Sequence, residues 1–240
     1  MKTLSILYRA CHHETTEQSV KNPSRPDFFC KKRCFKSFYQ EFGNRNDVDI
    51  TVIFDGNETH ELAQYILQFK IKDIIYLTEV GNKASLIYCY NLMSEQESQY
   101  IAIFEDDYLW LPNSYHVLLD GLEKFGSSGT ISLYNHPDRV TRTDDITFGH
   151  EYVLCGKFCY WRTAESNTAT FAISTDLFKK YHQEFLDCNI HDRLLFINLL
   201  KKYDLRHFTP ISERYGCSHV NRYFPSLYID WEGFNKTIKI

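Results

Sequence analysis

The chain alternates between short apolar runs and segments whose apolar residues recur every three or four positions. That pattern predicts strands alternating with amphipathic helices. Leu4 to Arg9 reads as a first strand. A polar stretch from Thr15 to Pro26, punctuated by Asn22-Pro23 and Arg25-Pro26, reads as a loop. Pro26 suits a first helical turn, and Phe28, Phe35, Phe38 and Phe42 follow at helical spacing before Gly43. The Lys31, Lys32, Arg33 and Lys36 cluster of this helix reads as a solvated face. Asp49 to Phe54 predicts a second strand and Ile71 to Leu77 a third, with a helix through Leu62, Tyr65, Ile66 and Phe69 between them. A further helix carries Leu86, Tyr90 and Met93.

The fourth strand, Tyr100 to Phe104, runs straight into Glu105-Asp106-Asp107. Asn113 or Ser114 then caps a helix through Val117, Leu118, Leu122 and Phe125. Four strand–helix alternations with short connections predict an α/β fold with a mostly parallel sheet flanked by helices. The second half is more mixed. It offers a strand at Thr130 to Tyr134, irregular chain over 139–160, then Trp161-Arg162-Thr163 and an apolar Phe171-Ala172-Ile173 segment. Two helices are expected, at Thr175 to Phe185 and from His191 to Tyr203, followed by an aromatic tail containing Tyr215 to His219. With no repeat or linker, 1–240 reads as one domain: a nucleotide-binding half over 1–129 and an acceptor-binding half over 130–240.

Composition narrows the function. The net charge of −4 and the lack of a basic run argue against nucleic-acid binding. The aromatic share of 16% suits surfaces that must be both apolar and hydrogen-bonding. Of the 8 cysteines, none forms a Cys-x-x-Cys pair or a zinc spacing, which points to free thiols in a reducing, cytoplasmic setting. Neither a signal peptide nor a transmembrane segment is expected.

Three adjacent carboxylates at the end of a buried strand repel one another, and a hard cation, Mg²⁺ or Mn²⁺, would offset that repulsion. Ligands of open α/β sheets bind beyond the carboxyl ends of the strands. Those ends also supply Arg9, Asp55 and the Gly81-Asn82-Lys83 loop, which together suit a nucleoside diphosphate. Neither a Gly-x-x-x-x-Gly-Lys-Ser/Thr loop nor a Gly-x-Gly-x-x-Gly motif follows the first strand, so ATPase and dinucleotide-dehydrogenase readings lose their support.

An α/β half whose fourth strand ends in Glu-Asp-Asp resembles the Rossmann-like GT-A glycosyltransferases and their "DxD" motif. Arg25-Pro26-Asp27-Phe28-Phe29 with Cys34-Phe35, Phe104 to Leu109, His136-Pro137-Asp138 and Trp161-Arg162-Thr163 are similar to segments of small viral and bacterial members. The resemblance implies that Asp107 binds the metal, Asp106 the ribose or the metal shell, and His219 the metal from the C-terminal side. It places Asp55 at the base or ribose, and Arg9 and Lys83 at the base or diphosphate. Asp192, opening a late helix, is the candidate general base, with Asp138 in reserve. Trp161 would stack on a sugar and Arg162 would meet hydroxyls or phosphate.

The implied reaction is metal-dependent, inverting transfer from a nucleoside-diphosphate sugar, with UDP the preferred nucleotide, to a glycan or glycoprotein hydroxyl. The rival readings are a non-catalytic carbohydrate- or partner-binding module, a metal-dependent phosphoesterase and a sugar-nucleotide pyrophosphorylase. The last would carry a glycine-rich basic loop where this chain has Arg9-Ala10-Cys11-His12-His13.

Overall fold

The computed structural model describes residues 2–13, 24–137, 152–188, 191–212, 214, 216–222 and 229–240. Most of the expected Thr15–Pro26 loop, together with Asp138 and Tyr215, lies outside them.

Leu4, Ile6, Tyr8 and Ala10 face one hydrophobic cluster, while Leu7 faces another. That period-two alternation with apolar residues on both sides makes β1 (Leu4–Cys11) a central strand. β2 (Val48–Asp55) and β4 (Tyr100–Glu105) behave alike, β3 (Asp73–Leu77) is the less buried edge strand, and β3-β2-β1-β4 pair in parallel. One face is covered by α1 (Lys31–Phe42), α2 (Glu61–Ile66) and α4 (Ser114–Phe125). Phe38 and Phe42 of α1 pack on Phe104 and Trp110 there. Each such ring, fully buried, contributes about 1.5–3 kcal/mol relative to exposure. The other face is covered by α3 (Gly81–Ser94), α5 (Thr175–Leu186) and α6 (Asp192–Tyr203).

One helix start and one cap differ from expectation. The first helix begins at Lys31 rather than Pro26, with Cys30 in extended conformation before it. Asn113 precedes α4 in a left-handed conformation, φ 72°, and its side chain makes no cap hydrogen bond.

After β4 the chain makes a tight turn through Asp106-Asp107 into β5 (Tyr108–Trp110). The remaining described strands are β6 (Gly129–Ile131), β7 (Val153–Cys155), β8 (Tyr160–Ala164), β9 (Phe171–Ser174), β10 (Arg206–Pro210) and β11 (Cys217–His219). Among the described residues nine strands form one sheet, ordered β3-β2-β1-β4-β9-β6-β10-β8-β7, so the sheet runs through both halves of the chain. β9 lies antiparallel between β4 and β6, which gives the C-terminal half its mixed character. β11 pairs with β5 in a separate two-stranded sheet, register His219 to Tyr108. A satellite cluster of Phe29, Cys34, Leu109, Leu111, Val220, Trp231 and Ile238 backs that ribbon, Trp231 coming from α7 (Trp231–Thr237).

Trp161 corrects an expectation. Its ring is fully buried against α4, packed edge-on to Phe125 at 5.9 Å. It fills the space over Gly121, where a Cβ would come within 2.6 Å of the indole. A ring so enclosed has no face to offer a sugar. Trp161→Phe is therefore expected to lower unfolding free energy by about 1–3 kcal/mol in a denaturant titration. Nucleotide and acceptor affinities should not change, and lost acceptor affinity at unaltered stability would restore the stacking role.

Candidate active site

The turn after β4 places three consecutive carboxylates at the C-terminal edge of the parallel sheet, and each is met by a separate cation. Arg9 lies directly across from Glu105 in the β1–β4 register, and their side chains form an ion pair. The Arg9 guanidinium also donates to Asn82 Oδ1 at 2.6 Å and Ser85 Oγ at 3.1 Å, tying α3 to the site. Lys31, at the start of α1, is only 4% exposed, and its ammonium lies 2.8 Å from Asp106 Oδ2. The same oxygen accepts from the Cys11 backbone N–H at 2.9 Å. Asp106 is thus turned toward Lys31 and β1, where the ribose or the metal surroundings had been expected.

Asp107 is the third. Its Oδ2 accepts from Arg25 Nη2 at 2.7 Å and lies 2.9 Å from His219 Nε2. Burial disfavours the charged carboxylate, but His219 and Arg25 outweigh it and hold its pKa well below the usual range. Burial likewise opposes the His219 imidazolium, and Asp107 more than compensates, leaving that pKa raised. His219 arrives because β11 pairs with β5. Its ring stacks on Tyr108 at 5.2 Å, and Val220 N–H donates to Asp107 O at 2.8 Å.

Arg25 Nη1 also approaches His219 Nε2 at 3.0 Å. A single Nε2 cannot both accept from Arg25 and donate to Asp107, so its lone pair or its proton is claimed, not both.

Asp107 and His219 are the candidate metal corner. Among the described residues no group of three or more His, Cys, Asp or Glu side chains is arranged to hold an ion. The corner nevertheless fits a Mg²⁺-type cation, which commonly takes one or two protein carboxylates and completes its shell with substrate phosphate. Asp107 Oδ1 is buried without a hydrogen-bond partner, a spare hard ligand beside an imidazole.

The remaining expected residues are placed differently. Both Asp55 oxygens are occupied, accepting from Val80 and Gly81 N–H at 2.9 Å each. Asp55 therefore caps α3 with one N–H on each oxygen; the Gly81 φ of +81° lets the chain turn beneath it. Lys83 is exposed in the first turn of α3, next to Asn82. Arg162 Nη2 donates to Asn135 Oδ1 at 2.7 Å. Neighbouring Tyr134 lies edge-on 5.6 Å from Tyr108 and 6.4 Å from His219. Arg162 is thus tied to the segment that carries Tyr134.

Asp192 opens α6, and burial raises its carboxyl pKa, with Arg193 and Ala169 N–H groups, His136 and His191 partly offsetting it. The 168–170 segment links it to the triplet. Thr168 Oγ1 accepts from Tyr108 OH at 3.2 Å, and Thr170 Oγ1 accepts from Glu105 N–H at 3.2 Å. His136 packs on Tyr134 at 5.3 Å, closing the arc from His219 toward Asp192.

Two cations were missed. Lys31 was legible, since 31, 35, 38 and 42 share one helical face and Phe35, Phe38 and Phe42 are apolar. Arg25 stood in the Arg25-Pro26-Asp27-Phe28-Phe29 segment that carries the family resemblance, but nothing local gave it a role at the triplet.

No family model matches the sequence, and no curated protein does. Solved structures do. A protein described as a nucleotide-diphospho-sugar transferase from Desulfovibrio desulfuricans aligns with TM-score 0.52 at 6% identity, over 87% of this chain and 80% of its own. Residues 1–349 of TarS from S. aureus align with TM-score 0.51 at 12% identity, over 90% of this chain but only 59% of that fragment. This chain thus spans less than two thirds of the TarS fragment. At these identities the likeness shows the fold alone: the chain has the mixed α/β, Rossmann-like fold found in nucleotide-diphospho-sugar transferases.

Proposed function

We propose that the protein is a glycosyltransferase that moves a sugar from a nucleoside-diphosphate donor, UDP-sugar preferred, to a hydroxyl of a glycan or glycoprotein. The observation that carries this reading is the Asp107–His219 corner, at the C-terminal edge of a sheet of the nucleotide-sugar transferase type. Asp107 and His219 would hold Mn²⁺ or Mg²⁺, which supplies Lewis-acid neutralisation of charge on the departing diphosphate. Arg9 and Lys31 neutralise Glu105 and Asp106 at the same edge, so those two carboxylates do not repel a bound diphosphate.

Asp192 acts as the base of an inverting transfer. Its carboxylate takes the proton from the acceptor hydroxyl as that oxygen bonds to the anomeric carbon. The bond from that carbon to the diphosphate breaks, and its electron pair stays on the phosphate oxygen. Burial suits Asp192 to this task by raising its proton affinity above that of a solvated aspartate. Among the described residues no helix is long and apolar enough to cross a membrane.

Calorimetric titration with UDP and with GDP, each with and without Mn²⁺, should show metal-dependent binding of one nucleotide. Failure of both to bind under all conditions would remove the transferase reading in favour of a binding module. Asp107→Asn keeps the side-chain volume and should cut the Mn²⁺-dependent gain in affinity by about tenfold or more.

Asp192→Asn should leave donor binding intact and lower kcat by about 10²–10⁴-fold. Because the base works deprotonated, kcat/KM of the parent enzyme should rise with pH through a limb lying above the ordinary aspartate range. A limb that persists in the Asn variant would assign the base elsewhere.

A further inference from the structure

Arg25 stands out because it occupies the corner a divalent cation would need. Its Nη2 donates to Asp107 Oδ2 at 2.7 Å and its Nη1 lies 3.0 Å from His219 Nε2, so one guanidinium spans both candidate ligands. It also donates to Val220 O at 3.0 Å and lies 4.7 Å over the Phe29 ring. At 8% exposure it is well shielded from water, which strengthens its pairing with the carboxylate.

A guanidinium cannot give up its proton in a protein, so it cannot clear the corner by becoming neutral. It must swing away, because a divalent cation bonded to Asp107 and His219 would face its charge at contact distance. The backbone beneath it is anchored independently. Arg222 donates from Nε to Arg25 O at 2.7 Å and from its N–H to Ser24 O at 2.8 Å. The side chain can therefore turn while its segment stays in place.

We propose that Arg25 is an exchangeable counter-cation. It neutralises Asp107 in the ligand-free protein and passes to the diphosphate oxygens of the donor as a divalent cation takes its place. The proposal rests on the glycosyltransferase reading of this corner and adds a regulatory consequence to it. Metal alone must break the Arg25–Asp107 pair without supplying an anion to receive the arginine. Nucleotide alone must draw Arg25 from a buried carboxylate and leave that charge unpaired. Together the two ligands let every charge find a partner, so Arg25 makes their binding cooperative. By linkage the enhancement is the same whichever ligand binds first.

The test measures Mn²⁺ affinity by electron paramagnetic resonance of the free ion, with and without saturating UDP or GDP, for the parent protein and Arg25→Gln. Arg25→Gln is expected to bind Mn²⁺ alone about tenfold more tightly, because Asp107 and His219 are released. It should also bind nucleotide about tenfold more weakly in saturating Mn²⁺. The cooperativity factor should fall by at least about tenfold, within the usual range of coupling between sites. A merely structural role for Arg25 would weaken both ligands and leave no gain for Mn²⁺ alone.

Unchanged Mn²⁺ affinity and unchanged cooperativity in the variant would overturn the proposal while leaving the metal-dependent transferase reading intact. Absence of Mn²⁺ binding to either protein, with or without nucleotide, would overturn both. If Arg25→Gln does not fold, Arg25→Lys carries the same test, since one ammonium cannot span both partners as the guanidinium fork does. Its cooperativity should drop several-fold, and a value equal to the parent's would overturn the proposal.

Discussion

Three consecutive carboxylates at the end of a buried strand impose a constraint that much of the molecule answers. Each is paired with a cation from a different segment: Arg9 from β1, Lys31 from the start of α1, and Arg25 from the chain before it. Leaving one member of a buried pair without its partner typically costs about 3–5 kcal/mol. The pairings therefore fix where α1 begins and how the 24–30 segment crosses the site. The Phe38, Phe42, Phe104 and Trp110 cluster beneath holds the strand and α1 in register for those pairings.

The same balance decides how the site can treat a ligand. With three carboxylates already matched by three cations, a diphosphate entering alone would meet little net positive charge. It gains only if another cation accompanies it or if an internal cation is released to it. Asp107 is the position where both can happen, because it has a spare buried oxygen and shares His219 and Arg25. Glu105 and Asp106 are committed more firmly. Arg9 is cross-braced to α3 through Asn82 and Ser85, while Lys31 also donates to the Cys11 carbonyl at 3.0 Å. The triplet thus divides into two structural members and one able to change partner.

Much of this was legible in the chain. Alternation along Leu4–Cys11 and Tyr100–Glu105, and helical spacing of Phe35, Phe38 and Phe42, gave the sheet and its first cover because burial on known periods leaves a direct trace. The acidic triplet was visible because charge at the end of an apolar run is anomalous. What was not legible depended on long-range register. Asp55 looked like a ligand contact because a strand-end carboxylate is the same in sequence whether it meets a nucleotide or caps the helix that starts at Gly81. Trp161 likewise looks the same whether it stacks on a sugar or fills the hollow over Gly121. Arg25 has its role only because β11 returns 194 residues later to bring His219 against it.

The central claim is that Asp107 and His219 form the cation corner and that Arg25 yields it to a metal–nucleotide pair. Anomalous diffraction at the manganese edge, from crystals grown with Mn²⁺ and the nucleotide that binds, tests this directly. A manganese peak is expected within bonding distance of an Asp107 oxygen and His219 Nε2, with the Arg25 guanidinium turned onto the diphosphate. A peak on Glu105 and Asp106 instead, or bound nucleotide with Arg25 still spanning Asp107 and His219, would contradict it.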